Sequence, residues 1–99
     1  MAAFSQLDPL LHNQLRLAIV SLLMNVEEAD FNYILDKTKA SKGNLSTQLT
    51  KLKDAGYIKV EKGFRNNYPH TSCSIAKKGM QAFADYVAAL QNYINPENN

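Results

Sequence analysis

Residues 41–58, S-K-G-N-L-S-T-Q-L-T-K-L-K-D-A-G-Y-I, constrain the fold of this chain more than any other segment. They begin with Ser41, a residue type that caps helices, and they reach Gly56, a residue type that often follows a helix. Between these two lies one apolar stripe at helical spacing, formed by Leu45, Leu49 and Leu52. The opposite side is rich in Ser, Thr, Asn and Lys. The pattern predicts a short helix over residues 41–55 with one buried stripe and a polar outer face.

Capping residues and apolar spacing predict three further helices. The first covers residues 8–25 and starts at the Asp8-Pro9 pair. The second covers residues 30–38, with Asp30 as its cap, and only a short turn separates it from the helix at 41–55. The last helix covers residues 77–94. It carries two apolar stripes, of which one can cover the domain and the other needs a second surface.

Residues 57–75 predict a β-hairpin. They begin with alternating apolar and polar residues, pass through a Gly-, Asn- and Pro-containing loop at 63–69, and return in a second strand. The element order is therefore helix, helix, helix, strand, strand, helix. This order predicts a mainly α (α+β) fold, a winged helix-turn-helix with a three-helix core, a two-stranded wing and a long C-terminal helix. We expect a single domain over residues 1–95 and a disordered tail at 96–99.

The charge distribution favours a polyanionic partner. Residues 37–78 carry a net charge of +8, whereas residues 1–36 carry −4 and residues 79–99 carry −2. A basic middle between acidic ends is suited to a nucleic acid. The alternative is a solvated surface with scattered lysines.

The candidate DNA contacts lie on the outer face of the third helix and on the tip of the hairpin. Asn, Lys, Ser and Thr are residue types that read base edges, and an arginine on a wing can enter the minor groove. On the helix the candidates are Lys42, Gly43, Asn44, Ser46, Thr47, Thr50 and Lys51, and on the hairpin they are Lys62, Arg65 and Asn66. The alternative is an amphipathic helix with a solvated face and a hairpin that contacts nothing. Phe64 and Tyr68 are expected to pack against the strands rather than to stack on bases.

Other classes of function find little support in the sequence. No apolar run reaches the ~18 residues of a membrane span, and the N-terminus does not resemble a signal peptide, so we expect a cytoplasmic protein. His12 and His70 lack neighbours at metal-ligand spacing, and no catalytic pair or phosphate-binding loop is visible. We therefore predict no cofactor, no metal and no enzymatic activity. Cys73 cannot form an internal disulfide; it is expected to be buried and inert, with a redox sensor as the alternative.

Three segments resemble winged-helix transcriptional regulators of the MarR/ArsR-like group, especially their small stand-alone DNA-binding domains. They are A-D-F-N-Y-I-L at 29–35, residues 41–58, and P-H-T-S-C-S-I-A-K-K-G-M-Q-A-F at 69–83, and the resemblance covers residues 10–93. It implies a homodimer formed through the terminal helices. The implied dimer residues are Leu11, Leu15, Phe83, Tyr86, Ala89, Leu90, Tyr93 and Ile94. Two departures are Ala76, where a capping Thr is common, and the absence of the ligands found in metal-sensing relatives.

The sequence is thus interpreted as a regulator of transcription that binds double-stranded DNA sequence-specifically. We expect a homodimeric repressor on a pseudo-palindromic operator, with a small-molecule effector left open. The alternative is a winged-helix module that binds proteins without reading DNA.

Overall fold

A computed structural model describes residues 4–95 of the 99-residue chain. The elements are, in order, α1 (Gln14–Leu23), β1 (Ala29–Asp30), α2 (Phe31–Thr38), α3 (Lys42–Asp54), β2 (Ile58–Arg65), β3 (Tyr68–Ile75) and α4 (Lys77–Ile94). The predicted fold class is confirmed, because a three-helix core is followed by a hairpin, here called the wing (β2 and β3), and by a long terminal helix. The tail predicted to be disordered, residues 96–99, lies outside the described residues.

The first helix is shorter than predicted, because it begins at Gln14 rather than at residue 8. Asp8 organises a turn instead, and its Oδ1 accepts a hydrogen bond from the Leu10 amide at 2.8 Å. Asn13 then caps α1, with its side chain accepting from the Arg16 amide at 2.9 Å. An Asp-Pro pair is compatible with a turn as well as with a helix start. The next capping residue along the chain therefore sets the boundary.

The two helices of the helix-turn-helix, α2 and α3, are each capped by a side chain. Asp30 accepts from the Tyr33 amide at 2.7 Å, and Ser41 accepts from the Asn44 amide at 3.2 Å. Lys39 ends α2 in the left-handed region, with φ 59°. These caps satisfy amides that a helix start leaves without partners, so the turn between α2 and α3 can be very short.

The wing covers almost the predicted residues, 57–75, but its strands are longer and its turn is tighter than predicted. β2 and β3 pair antiparallel over all eight residues of each strand. A two-residue turn, Asn66-Asn67 with φ 52° and 68°, replaces the loop predicted at 63–69. Asparagine tolerates left-handed φ, and two such residues match the turns that close tight hairpins.

A third strand, which the sequence does not predict, completes the sheet in the order β1-β3-β2. Ala29 pairs with Cys73, and Asp30 pairs with Ser72. Two residues are too few to show an alternating pattern. Their pairing ties the start of α2 to the centre of the sheet.

The core draws on the three-helix unit, the base of the sheet and α4. Its buried hydrophobic residues are Leu11, Ile19, Val20, Leu23, Ala29, Ile34, Leu45, Leu49, Leu52, Ile58, Cys73 and Tyr86. Burial raises the pKa of the Cys73 thiol to about 11. The thiol is therefore protonated at neutral pH, which favours an inert structural cysteine over a redox sensor.

The start of α4 is held by close packing rather than by a side-chain cap. Ala76 precedes the helix without a capping side chain, and its amide donates to the Tyr57 carbonyl at 3.0 Å. Gly79 lies against the same carbonyl, and a Cβ at Gly79 would be 2.1 Å from that oxygen. Only glycine permits this approach, which fixes α4 against the base of the wing.

Candidate nucleic-acid interface

α3 separates a buried stripe from an exposed polar face. Leu45 and Leu52 are fully buried, and Leu49 is almost so. The candidate DNA contacts on α3 are all exposed: Lys42, Gly43, Asn44, Ser46, Thr47, Thr50 and Lys51. The helix therefore presents these seven residues to solvent while its leucines anchor it to the core.

The two threonines on this face are already oriented by the helix. The Thr47 hydroxyl donates to the Gly43 carbonyl, and the Thr50 hydroxyl donates to the Ser46 carbonyl, both at 3.0 Å. Each hydroxyl proton is thus used within α3, whereas the oxygen lone pairs and the methyl groups remain available to a binding partner. A threonine methyl group can contact the methyl group of thymine in the major groove.

The first turn of α3 offers backbone amides to an anion. The amides of Lys42 and Gly43 stand where an α-helix leaves N–H groups without intrahelical acceptors. A Cβ at Gly43 would meet nothing within 4 Å, so the surface there is open. The helix dipole and these amides favour a phosphate at this end.

Arg16 and Gln48 position the Asn44 side chain, and sequence reasoning missed both residues. The Arg16 guanidinium, on α1, donates from Nη1 to Gln48 Oε1 at 2.5 Å and from Nε to the Leu10 carbonyl at 2.6 Å. Gln48 Nε2 in turn donates to Asn44 Oδ1 at 2.9 Å. This chain of bonds holds the Asn44 carboxamide oxygen and leaves its NH₂ group to donate outward. The helical spacing of Asn44 and Gln48 is visible in the sequence, but the contact with Arg16 is not.

The wing lies beside α3 and carries its own cations. Lys62, Arg65 and Asn66 are all exposed, as a DNA contact requires. Lys62 also lines a cavity of about 160 Å³ between the wing and α3, together with Ser46 and Lys53. The wing and the third helix therefore form adjacent parts of one surface.

The two aromatic residues near the wing tip were expected to pack against the strands, and that expectation is wrong. Phe64 is 78% exposed and Tyr68 is 74% exposed. Both strands extend past the three-helix core, so the tip has no core surface for an aromatic ring to cover.

The cations of this surface are not neutralised by carboxylates. Within residues 4–95 a single ion pair is present, joining Lys39 and Asp36 at 3.6 Å on the exposed end of α2. The unpaired cations facing solvent on α3 and the wing are Lys42, Lys51, Lys53, Lys59, Lys62 and Arg65. Lys78 differs from them, because its Nζ lies 5.9 Å from the centroid of the Tyr57 ring, at the opposite end of α3.

The residues predicted for a dimer interface separate into buried and exposed groups. Leu11 and Tyr86 belong to the core of the chain itself, and the Tyr86 hydroxyl lies 3.1 Å from His12 Nδ1. They offer almost no surface to a second chain, because α4 packs its Tyr86 side onto α1. Leu15, Phe83 and Ala89 are half-buried.

The exposed group lies towards the end of α4. Leu90 is 36% exposed, Tyr93 43% and Ile94 64%, and Val87 extends the same apolar face. The N-terminal segment covers part of this helix: Tyr93 Oη donates to the Ser5 carbonyl at 2.8 Å, and its ring centroid lies 5.1 Å from that of Phe4. Sequence reasoning missed this segment, because no local pattern links residues so far apart.

Residues 4–95 contain neither a membrane-spanning helix nor a metal-binding cluster. No helix in that range is both long and apolar enough to cross a bilayer. The same residues contain no cluster of three His, Cys, Asp or Glu side chains arranged to hold a metal ion.

Residues 15–94 match the family of winged helix DNA-binding domains. This span includes most of the chain, and the chain belongs to that family. The predicted resemblance to winged-helix regulators is confirmed at this level. The family is one of DNA-binding domains rather than of enzymes.

Two similar proteins come from archaea. An uncharacterized protein of Methanocaldococcus jannaschii is 33% identical over 72 residues, which make up 73% of this chain and 78% of that protein. The structure of a transcriptional regulator homologue from Pyrococcus horikoshii has a TM-score of 0.80 at 27% identity. The match covers 87% of this chain and 85% of the Pyrococcus chain.

A second similar structure is Bacillus subtilis PadR in complex with operator DNA. It has a TM-score of 0.68 at 21% identity, covering 76% of this chain and 48% of the PadR chain. At this identity the likeness shows the fold alone.

Proposed function

We propose that this chain is a transcription regulator that binds double-stranded DNA sequence-specifically as a homodimer. The observation that carries the proposal is the exposed face of α3, which is polar and cationic beside a basic wing. Membership in a family of DNA-binding domains supports DNA as the partner. The Pyrococcus relative, described as a transcriptional regulator homologue, supports a role in transcription.

In the proposed complex the N-terminal half of α3 enters the major groove. The Asn44 carboxamide would pair with adenine, Lys42 would donate to guanine, and the Thr47 methyl group would meet thymine. Lys51, Lys62 and other cations would contact phosphates, which add affinity without specificity.

The homodimer has a physical motive in α4. Val87, Leu90 and Ile94 leave an apolar face in water, and pairing with a second copy would remove it. Two copies would present two α3 helices to successive major grooves. The expected operator is a pseudo-palindrome with half-sites about one helical turn apart.

We further propose that the dimer represses transcription in the cytoplasm, alongside the chromosome. A dimer that occupies two successive major grooves excludes other proteins from the same DNA. Repression would appear as increased expression of a reporter gene when the regulator is deleted, and decreased expression would indicate an activator.

The test of DNA binding is selection from a pool of genomic duplex fragments at low salt, followed by affinity measurements on the enriched fragments. Lys42→Ala with Lys51→Ala is expected to weaken binding and to reduce the salt slope by about one, because Lys51 is the phosphate contact of the two. The matched control, Lys77→Ala with Lys78→Ala, removes the same charge at the other end of α3 and should change both quantities less. No enrichment at low salt would contradict the proposal and favour a protein-binding module.

The homodimer is tested by sedimentation at micromolar concentration. Leu90→Glu is expected to shift the wild-type dimer to monomer, because it places a charge within the apolar face. Ala88→Glu adds the same charge about 200° around the helix from Leu90 and should remain dimeric. A wild-type protein that sediments only as a monomer would refute this part of the proposal.

A further inference from the structure

The wing tip carries an apolar surface that the fold itself does not use. Phe64 is the most exposed large hydrophobic residue among residues 4–95. Its cross-strand partner is Pro69, which is also exposed. The closing turn beyond them consists of polar asparagines. Two apolar side chains facing each other in water at the end of a hairpin favour a partner that covers them.

The pair lies on the face of the wing that adjoins the recognition helix. Side chains alternate along a strand, so Phe64 shares a face with Ile58 and Lys62. Ile58 is part of the core, and Lys62 lines the cavity beside Ser46 of α3. Phe64 and Pro69 therefore form the outermost layer of this same face.

The hairpin register brings the two side chains close together. The Arg65–Tyr68 pair closes the two-residue turn, so the Phe64–Pro69 pair next to it takes the non-hydrogen-bonded position. Opposing Cα atoms in such a pair are about 4.5 Å apart. Proline suits this position, since it has no amide hydrogen to leave unpaired. The result is one blunt apolar wedge.

The charges around the wedge favour DNA over a protein as the partner. Lys62 precedes Phe64 on the same face and Arg65 follows it on the opposite face. Neither forms an ion pair within the described residues. An apolar protein surface would have to desolvate these cations, which is costly. Duplex DNA offers apolar sugar and base surfaces between two rows of phosphates. It can therefore cover the apolar pair and also pair with the neighbouring cations.

We propose that Phe64 and Pro69 form a wedge that contacts the minor groove beside the major-groove site of α3. The phenyl ring packs against deoxyribose and base-pair edges and favours a pyrimidine–purine step, which opens at the least cost. Arg65, on the other face, contacts phosphate, so that Phe64 rather than the arginine enters the groove. This inference rests on the proposed DNA binding and deepens it, because it adds readout of DNA deformability to the base contacts of α3.

The experiment selects duplexes from a random-sequence library with the full chain and with three variants. Phe64→Ala removes the ring, and Phe64→Leu keeps an apolar side chain. Arg65→Ala removes a neighbouring charge and leaves the ring. Thermal melting without DNA checks that each variant is folded, which is expected because both positions are exposed.

The wild type is expected to enrich a core sequence and, at a fixed distance outside it, a pyrimidine–purine step. Phe64→Ala should keep the core preference, lose the flanking step and bind about tenfold more weakly. Its salt slope should be unchanged, because no charge is lost. Phe64→Leu should retain most of the flanking preference. Arg65→Ala should show the converse, a salt slope smaller by about one with the flanking step retained.

Two outcomes overturn the wedge alone. In one, Phe64→Ala selects the same flank as the wild type and binds within twofold of it. In the other, Phe64→Ala lowers the sedimenting mass without DNA, which would assign the ring to a contact between copies. If instead the wild type enriches no sequence at low salt, the proposed function itself fails, and the wedge fails with it.

Discussion

The recognition helix and the wing tip present their side chains in opposite ways. On α3, Asn44 is bonded to Gln48, Thr47 is bonded to the helix backbone, and buried leucines anchor the whole. At the wing tip, Phe64 and Tyr68 project into solvent beyond the core. A surface that is already ordered loses little entropy on binding, whereas a free side chain must be ordered by its partner. The helix is suited to reading rigid base edges, and the tip is suited to DNA that itself deforms.

The largest effect should separate the two regions by stability. Leu52→Ala, in the buried stripe of α3, is expected to lower the free energy of unfolding by about 2–5 kcal/mol, because it leaves a cavity. Phe64→Ala removes a larger side chain at the wing tip but should change the free energy of unfolding by less than about 0.5 kcal/mol. Urea unfolding measures both. Comparable losses in the two variants would mean that the ring packs against the protein in solution.

An intermediate effect tests the ordering of α3. Gln48→Ala removes the link between Arg16 and Asn44, at a cost of about 1 kcal/mol for each of the two lost hydrogen bonds. The Asn44 carboxamide could then rotate, so discrimination between a selected site and a single-base variant should fall about fivefold. Competition binding on the two duplexes measures the ratio.

Gln81→Ala is the matched control for that experiment. It removes a hydrogen bond of the same i,i+4 spacing, which Gln81 Nε2 donates to Asp85 Oδ1 on α4, far from the proposed DNA surface. Unchanged discrimination in Gln48→Ala, or an equal loss in Gln81→Ala, would show that the Arg16–Gln48–Asn44 chain does not position the base contact.

The smallest effect concerns the base of the wing. Unlike the tip, the base is held by a hydrogen bond to another part of the chain. Tyr57 Oη donates to Asp8 Oδ2 at 2.6 Å. Burial, and then the hydrogen bond and charge of Asp8, raise the pKa of Tyr57 from 10.0 to about 12. The folded chain therefore favours the neutral phenol. The stability gained is complete below pH 10 and is lost as the pH rises from 10 to about 12.

Denaturant midpoints measured across that pH window test the anchor. The midpoint of the wild type should fall more steeply with pH than that of Tyr57→Phe, which cannot ionise at this position. Cys73 is present in both proteins, so its own ionisation cancels in the comparison. Parallel curves would indicate that the Tyr57–Asp8 contact does not persist in solution.

Local chemistry explains which parts of the fold the sequence predicts. The caps Asp30 and Ser41 and the leucines of α3 act within a few residues, so the helix-turn-helix can be read directly. At α1 two capping residues compete, and the tertiary contact of Asp8 with Tyr57 favours Asn13 as the start. Such a contact joins residues far apart in the chain, so the local sequence does not reveal it.

The same reasoning applies to the candidate site. The polar face of α3 follows from helical spacing alone, but Arg16 reaches Gln48 across 32 positions of the chain. The exposure of Phe64 depends on how far the hairpin extends past the core. The length of its strands was underestimated because Pro69 and the asparagines have the composition of a loop. Leu11 and Tyr86 are apolar residues on the terminal helices, and only the packing of α4 on α1 shows that they face inward.

The two-residue turn of the wing also limits how a hairpin of this kind can change in length. Adding one residue to each strand would lengthen it by about 3.4 Å but would turn the tip to the opposite face of the sheet. Adding two to each strand keeps the face and lengthens the hairpin by about 6.8 Å, close to the rise of two base pairs. Among chains with this architecture, wings that keep an apolar pair beside the recognition helix should therefore differ in length by even numbers of residues per strand.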